Sequence, residues 1–220
     1  MNVIIFYTDA IKETDLLNIE TELWRQNLTR VAGVDEAGRG PLAGPVVAAA
    51  VVFPAGQIYI EGIKDSKKLS PRQRQKIKTV IEDKALDVGV GIVDHEDIDE
   101  LNILGATFKA MRLAVGSLKQ QPDFVLIDGN RDPKIDVQHH CVVKGDSLSM
   151  SIAAASIIAK VTRDEMMVEY DKLYPQYDFA KHKGYPTYNH IQAIREHGVC
   201  PIHRRSFRPK VLLDYYDSLE

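Results

Sequence analysis

The chain has 220 residues, a hydrophobic fraction of 45%, a charged fraction of 27% and a formal net charge of -3. These values are typical of one soluble globular domain with a real core, and the net charge does not by itself indicate a nucleic-acid-binding protein. No apolar run approaches the ~20 residues that span a bilayer. Cys141 and Cys200 are the only cysteines, so we expect a cytoplasmic protein with neither a disulfide framework nor a membrane partner.

Basic residues are concentrated in two zones, 64–78 and 181–210, on this mildly acidic chain. Such a distribution favours one charged face over general binding of polyanions. The alternative is that both zones are solvated helix surfaces, which charge runs usually are.

The first strong pattern is a pair of strands around a glycine-rich bend. Residues 1–29 predict a lead-in, with a short strand over 3–7 and an amphipathic helix over 16–28. Apolar runs then predict antiparallel strands near 30–36 and 45–53. Asp35 and Glu36 stand where the first strand runs into Gly38-Arg39-Gly40-Pro41. Neighbouring strand residues face opposite sides, so both acids can serve one metal site only if the strand ends or bulges there.

A third acid closes a later strand. The middle of the chain predicts a helix over 70–85, which starts at Ser70-Pro71, and then a strand over 87–93. A short acidic helix capped by Asp94 and a helix over 104–118 follow. The next predicted strand covers 123–128 and ends at Asp128. Asp128-Gly129 could be a hairpin turn that leads to a strand over 137–143. We favour a functional Asp128, since active groups of open α/β sheets collect at strand ends.

A fourth acid precedes the longest predicted helix, which covers 149–173. Asp146 could cap that helix, could bind a cation while the helix dipole keeps it ionised, or could do both. Lys160 lies further along the helix and could be a partner or a surface residue. Four acids at such positions suit Mg²⁺ or Mn²⁺, and two such ions can hydrolyse a phosphodiester.

The last third of the chain is basic and aromatic. Lys181, Lys183 and Tyr185 suit a phosphate contact beside a stacked sugar or base, and a packed surface loop is the alternative. A helix capped by Thr187 should run to about residue 197. His197, Cys200 and His203 have a spacing that hints at zinc, but no fourth ligand lies in range. We therefore do not expect a zinc site.

Six motifs stand in the order that one known family shows: Asp35-Glu-Ala-Gly-Arg-Gly40, Asp65-Ser-Lys-Lys-Leu69, Ile127-Asp-Gly-Asn130, Lys144-Gly-Asp146, Ala154-Ala-Ser-Ile-Ile-Ala-Lys160 and Lys183-Gly-Tyr185. From about Leu23 to Phe207 the chain therefore resembles the bacterial ribonuclease HII family. The resemblance implies an α/β, RNase H-like fold, a mixed central β-sheet flanked by helices with a helical C-terminal extension. It also implies a catalytic domain over 30–220, whose region from about residue 175 contacts substrate.

The implied activity is metal-dependent endonucleolytic cleavage of RNA in RNA/DNA hybrids and of duplex DNA 5′ to an embedded ribonucleotide. By resemblance, the catalytic metal ligands are Asp35, Glu36, Asp128 and Asp146. The substrate-binding residues would be Gly38, Arg39, Gly40, Lys67, Lys160, Lys181, Lys183 and Tyr185. The glycine loop would read the ribose 2′-hydroxyl mainly through its backbone, and Tyr185 would stack on the next deoxyribose. Lys67 would lie near the scissile phosphate, although Lys68 stands beside it.

Three alternatives remain open. Ribonuclease HIII is the nearest related family, but it typically has a large preceding domain and a different glycine loop. A DNA-directed nuclease on the same fold would cleave an all-DNA duplex. A non-catalytic hybrid-binding module would not need all four acids. We expect an enzyme that acts as a monomer in ribonucleotide removal, while docking to the replication machinery stays open.

Overall fold

The computed structural model describes residues 15–56, 58–63 and 69–217. Its centre is a mixed sheet of five strands: β1 (Val31–Ala37), β2 (Val46–Val52), β3 (Asp87–Val93), β4 (Phe124–Asp128) and β5 (His139–Val142). The strand order is β3-β2-β1-β4-β5. The predicted strand over 3–7 and the loop that carries Lys67 lie outside the described residues.

The pairing of the strands decides which side chains share an edge of the sheet. β1 pairs antiparallel with β2, as predicted, and parallel with β4. Val34 stands opposite Ile127 in the parallel pair, so Asp35 and Asp128 follow at the same level. β5 runs parallel to β4. The interpretation of Asp128-Gly129 as a hairpin turn is therefore wrong, because a hairpin joins antiparallel strands.

Helices cover both faces of the sheet and form the C-terminal extension: α1 (Asn18–Arg25), α2 (Pro71–Lys84), α3 (His95–Gly116), α4 (Met150–Leu173), α5 (Phe179–His182), α6 (Tyr188–His197) and α7 (Leu213–Asp217). The predicted caps at Ser70, Asp94 and Thr187 each accept a hydrogen bond from a backbone N–H in the first turn. α3 is kinked where Asn102 has φ 60° and ψ 168°. That kink separates the two helices that the sequence predicts there.

Small residues bring α4 close to the sheet. Ala153, Ala154 and Ala155 are fully buried against β1 and β2. A Cβ atom on Gly33 of β1 would lie only 2.1 Å from the backbone carbon of Ser151. Only glycine allows this approach, which fixes α4 over the end of β1 that carries the acids.

α1 is tied to the start of α4 by a buried carboxylate. Glu20 is 2% exposed. Its Oε1 accepts hydrogen bonds from Ser149 Oγ at 2.6 Å and from Ser151 N at 3.0 Å. Burial raises the pKa of Glu20, while these donors act in the opposite direction. The lead-in thus contributes to the framework that positions the first turn of α4.

The C-terminal extension packs on the 38–45 loop and on the second half of α4. Its core contains Phe179, Ile194 and Leu212 with Leu42 of the loop and Met167 of α4.

No helix in the described ranges is long and apolar enough to cross a membrane. The mixed sheet with flanking helices confirms the predicted fold class.

Candidate active site

Three predicted acids meet at the edge of the sheet where β1 and β4 end. Asp35 is 6% exposed, and its Oδ1 accepts from the amide of Glu36 at 2.7 Å. Ser156 on α4 also donates to this carboxylate. Burial, and then repulsion from Glu36 and Asp128, raise the pKa of Asp35 well above its usual range. Ser156 is a contact that sequence analysis missed, although it lies inside one of the recognised motifs.

Glu36 faces the neighbouring cleft and has a cation beside it. Burial raises the pKa of Glu36, whereas Arg39, whose Nη1 lies 3.3 Å from Oε1, lowers it. Asp128 raises it again by repulsion. The electrostatic coupling shows that Asp35, Glu36 and Asp128 form one acidic group.

Asp146 joins this group through the backbone of the preceding residue. The amide of Gly145 donates to Asp128 Oδ1 at 2.7 Å. Gly145 opens a short 3₁₀ turn, Gly145–Ser147, on which Asp146 is 8% exposed. Ser149 caps α4 by accepting from the amide of Ile152. The interpretation of Asp146 as the N-cap is therefore wrong, because the N-cap of α4 lies three residues later, at Ser149. We call these four acids the acid edge.

The donor chemistry of the acid edge fits a hard divalent cation. The carboxylates supply oxygen ligands, which such a cation prefers. Asp35, Glu36 and Asp128 repel one another, and a bound cation would reduce this repulsion. Within the described ranges, however, no three His, Cys, Asp or Glu side chains are placed to hold one ion together. Asp35 and Asp128 each accept a backbone amide, and Glu36 accepts from Arg39. Ligation of a shared ion therefore requires these side chains to turn.

A cleft of about 430 Å³ opens beside Glu36. Predicted substrate-binding residues that line it are Gly38, Arg39, Gly40, Lys160 and Tyr185. Lys160 Nζ lies 6.0 Å from the centre of the Tyr185 ring and 2.7 Å from Asp164 Oδ1. The structure thus brings the glycine loop, one aromatic ring and one cation next to an acid of the edge. A smaller cavity of about 90 Å³ has Glu36, Arg39 and Asp128 in its lining.

The other predicted lysines lie elsewhere. The side chain of Lys181 is 72% exposed and stands 3.9 Å from Asp178. Lys183 lines a different groove, of about 170 Å³, together with Arg74 and Asp164. Burial lowers the pKa of Lys183. Arg74 also lines the cleft beside Glu36, so this arginine, which sequence analysis did not single out, lies between the groove and the cleft.

Two buried arginines hold the 38–45 loop, and sequence analysis missed this role. Arg163 donates to the carbonyls of Pro45, Lys183 and Ala43 at 2.9, 3.0 and 3.1 Å. Arg204 makes four further bonds to loop carbonyls. We call this pair the arginine clamp. The sequence carries no signal for it, because burial of an arginine depends on which carbonyls the tertiary fold supplies.

A chain of buried histidines supports Tyr185. His203 Nδ1 accepts from the amide of Cys200 at 2.9 Å, so the proton of a neutral ring is on Nε2 and points to His190 Nε2 at 3.0 Å. His190 Nδ1 then donates to the carbonyl of Tyr185 at 2.9 Å. Burial lowers the pKa of His190 to about 4 and that of His203 to about 3. His203 thus has His190 as its partner. Among the described residues, His197, Cys200 and His203 do not come together as a group of metal ligands.

Comparison with known proteins gives one consistent family. Residues 32–210 match the family model described as Ribonuclease HII. A Ribonuclease HII of Acetivibrio thermocellus is 58% identical over 188 residues, which cover 86% of this chain and 73% of the relative. A Ribonuclease HII of Clostridioides difficile is 52% identical and covers 90% of this chain and 78% of its own length.

Solved structures agree with the fold. The ribonuclease H2 from Pyrococcus horikoshii OT3 superposes with a TM-score of 0.68 at 29% identity, over 86% of this chain and 98% of that one. These matches cover the acid edge, the 38–45 loop and most of the C-terminal extension. The chain therefore belongs to the ribonuclease HII family and is a hydrolase of the ribonuclease H type, with the activity on RNA/DNA hybrids that defines that family.

Proposed function

We propose that this chain is an endonuclease that cleaves the RNA strand of RNA/DNA hybrids and nicks duplex DNA on the 5′ side of a single embedded ribonucleotide. The products would carry 3′-hydroxyl and 5′-phosphate ends. The observation that carries the proposal is the position of the acid edge directly beside a cleft lined by a glycine loop and an aromatic ring. Such a site can hydrolyse a phosphodiester next to a recognised sugar.

Asp35, Glu36, Asp128 and Asp146 would hold two Mg²⁺ or Mn²⁺ ions. When bound, such ions supply a nucleophilic water and stabilise charge on the leaving oxygen. The chain itself holds the carboxylates at the ends of two adjacent parallel strands, on the Gly145–Ser147 turn and against Ser156. The fixed backbone of these residues supports catalysis, because ligands on strands are positioned more accurately than ligands on long loops, and only the side chains would turn to reach the ions.

Ribose recognition would come from the glycine loop. Gly38 has φ +99°, a conformation that favours glycine, and a Cβ there would collide with the Arg163 side chain at 2.2 Å. Arg39 and Gly40 are exposed in the cleft. The 2′-hydroxyl is the group by which a protein distinguishes RNA from DNA. Backbone amides that approach it closely would give that discrimination.

The remaining substrate contacts would come from the aromatic and basic residues around the cleft. Tyr185, 41% exposed, would stack on the deoxyribose after the ribonucleotide. Lys160 would contact a phosphate near it, and Lys67 one near the scissile bond. Lys181 and Lys183 would contact phosphates further along the duplex, as would the C-terminal region from about residue 175. We propose that the chain acts as a monomer.

The cell compartment is also part of the proposal. Cys141 and Cys200 are both free thiols, which supports work in a reducing cytoplasm. There the enzyme would remove ribonucleotides during DNA replication and repair.

The decisive experiment compares a labelled DNA duplex that contains one ribonucleotide with the same duplex made entirely of DNA. Each is incubated with and without Mg²⁺ or Mn²⁺. Metal-dependent nicking 5′ to the ribonucleotide, with the all-DNA duplex intact, is the expected result. Cleavage of both duplexes would move the chain to the DNA-directed nucleases, and tight binding without any cleavage would identify a binding module.

A further inference from the structure

Arg204 is a buried cation whose hydrogen-bond partners are all backbone carbonyls of one loop. Arg204 is 1% exposed. It donates to Gly38 O at 2.6 Å, Arg39 O at 3.1 Å, Gly44 O at 2.9 Å and Pro45 O at 3.1 Å. Burial lowers the pKa of Arg204 to about 9, so it stays charged at neutral pH. Burial of a charge is costly, and four bonds to one loop indicate a specific role.

The bonds to Gly38 and Arg39 fix the direction of two amides. A trans peptide unit is planar, and its C=O and N–H point in opposite directions. The described chain contains no cis peptide bond. Because Arg204 draws the carbonyls of Gly38 and Arg39 inward, the N–H groups of Arg39 and Gly40 point away from the buried side. Both residues line the cleft beside Glu36.

These two amides have no acceptor in the described part of the chain. Other backbone amides of the same loop are used internally, since Leu42 N donates to Gly184 O at 2.8 Å and Gly44 N donates to Ile202 O at 2.9 Å. No hydrogen bond of the described residues involves the amide of Arg39 or Gly40 as donor. Two adjacent donors that face a cleft form a site for an oxygen atom.

We infer that Arg204 is a positioning residue that aims the Arg39 and Gly40 amides at the ribose 2′-hydroxyl and thereby sets the preference for ribose over deoxyribose. This inference rests on the proposed function, in which the glycine loop reads the 2′-hydroxyl. Arg204 touches neither the substrate nor the acid edge. It acts only through the orientation of two peptide units.

Arg163 provides a matched control within the same arginine clamp. It is also fully buried and also bonds to carbonyls of the loop, at Ala43 and Pro45. It makes no hydrogen bond to the carbonyl of Gly38 or Arg39. Arg163→Lys therefore disturbs the same buried layer while both peptide units keep their partner.

The test is the ratio of two dissociation constants, measured without divalent ions so that metal-dependent cleavage does not occur. One labelled duplex contains a single ribonucleotide and the other is entirely DNA. Lysine presents three donors at one point and cannot span both carbonyls. We expect Arg204→Lys to lower the preference for the ribonucleotide about tenfold, the value of one or two hydrogen bonds, whereas Arg163→Lys keeps the ratio of the unmodified chain.

A general loss of folded protein weakens binding of both duplexes equally and leaves the ratio unchanged. If the unmodified chain shows a preference and Arg204→Lys retains it fully, the inference is wrong while the proposed function stands. If the unmodified chain itself shows no preference, ribose reading by the loop fails, and the inference fails with it.

A second variant serves if Arg204→Lys does not fold. Asp99 accepts from the amides of Arg205 and Ser206 at 2.8 and 2.9 Å, and so holds the segment that carries Arg204 from its outer side. Asp99→Ala should lower the same ratio by a smaller factor, roughly two- to threefold, as expected for weakened rather than lost hydrogen bonds. A ratio equal to that of the unmodified chain would overturn the inference.

Discussion

The acid edge and the arginine clamp both bury charge next to the 38–45 loop, but they satisfy it in opposite ways. In the clamp, seven hydrogen bonds from Arg163 and Arg204 end on backbone carbonyls. At the acid edge, Asp35 and Glu36 instead repel each other and Asp128. Charges that shape the site are saturated by the fold. The carboxylates of the acid edge, which we propose as metal ligands, are left to repel, and a bound cation would reduce that repulsion.

The pKa directions express the same contrast. Burial lowers the pKa of Arg163 to about 10 and that of Arg204 to about 9, and both remain cations at neutral pH. Burial and repulsion raise the pKa of Asp35 well above its usual range, so its carboxylate is disfavoured in the folded chain. The ionised acid edge therefore destabilises the folded chain, whereas the arginine clamp is satisfied by its hydrogen bonds.

The largest expected effect comes from removing one acid of the edge. Asp128→Asn should lower the rate of cleavage roughly 10³-fold or more, the scale found for catalytic groups, because it removes the charge of a proposed metal ligand. The amide oxygen can still accept from Gly145 N, so duplex binding should change little. Single-turnover cleavage and a binding titration measure the two effects. Asp132→Asn is the control, since this exposed acid bonds to Lys134 and His139 instead. Full cleavage by Asp128→Asn would remove Asp128 from the site.

Breaking the clamp should affect stability first. Arg163→Met removes three buried hydrogen bonds, two to the loop carbonyls of Ala43 and Pro45 and one to the carbonyl of Lys183. At about 1 kcal/mol for each bond, the free energy of unfolding should fall by roughly 3 kcal/mol. Urea denaturation measures this loss. The control is Arg195→Met, because Arg195 forms its ion pair with Asp214 on the surface and such pairs contribute at most about 1 kcal/mol. Equal losses in the two variants would mean that the clamp is no more important than a surface pair.

Much of the acid edge could be predicted from the sequence, because its acids follow apolar strands or precede a helix. Strand ends, glycine turns and capping residues are local patterns, and the caps at Ser70, Asp94 and Thr187 are found where they were predicted. The hairpin alternative at Asp128-Gly129 failed because strand direction depends on the whole sheet. Local turn residues do not determine it.

The clamp and the histidine chain could not be predicted, since the tertiary fold decides which partners these side chains meet. Arg204 bonds to Gly38, which lies 166 residues away, and His190 of α6 bonds to His203 of the segment that follows this helix. Arg163 and Arg204 count as surface cations in a charge profile. Their burial follows from carbonyls that the 38–45 loop cannot use internally.

Tyr185 lies between the cleft beside the acid edge and the buried histidine chain. Its ring lines the cleft, and its carbonyl accepts a hydrogen bond from His190. Tyr185→Ala should slow incision at a single ribonucleotide about tenfold, the value of one stacked base or sugar. Tyr185→Phe keeps the ring and should retain most of the rate. Tyr188→Ala, at a neighbouring tyrosine that is 77% exposed, controls for loss of surface area. Unchanged kinetics in Tyr185→Ala would assign the ring to packing.

The smallest expected effect has the opposite sign, a gain in stability at the acid edge. Because the pKa of Asp35 is raised in the folded state, its protonated form stabilises the fold below the ordinary carboxyl pKa, and this stability is lost as the pH rises through the folded pKa. At neutral pH the ionised carboxylate therefore destabilises the chain. Asp35→Asn cannot ionise, so without divalent ions its Tm should be a few degrees higher at pH 7 and similar near pH 4.

Thermal unfolding at the two pH values distinguishes this electrostatic gain from better packing, which would persist in acid. Asp132→Asn should show no gain, since Lys134 and His139 lower the pKa of Asp132 and its ionised form is already favoured. Divalent ions should narrow the Tm difference at pH 7, because they stabilise only the chain that keeps its carboxylate. A lower Tm for Asp35→Asn at pH 7 would mean that Glu36 and Asp128 do not destabilise the folded chain, and the contrast with the arginine clamp would be lost.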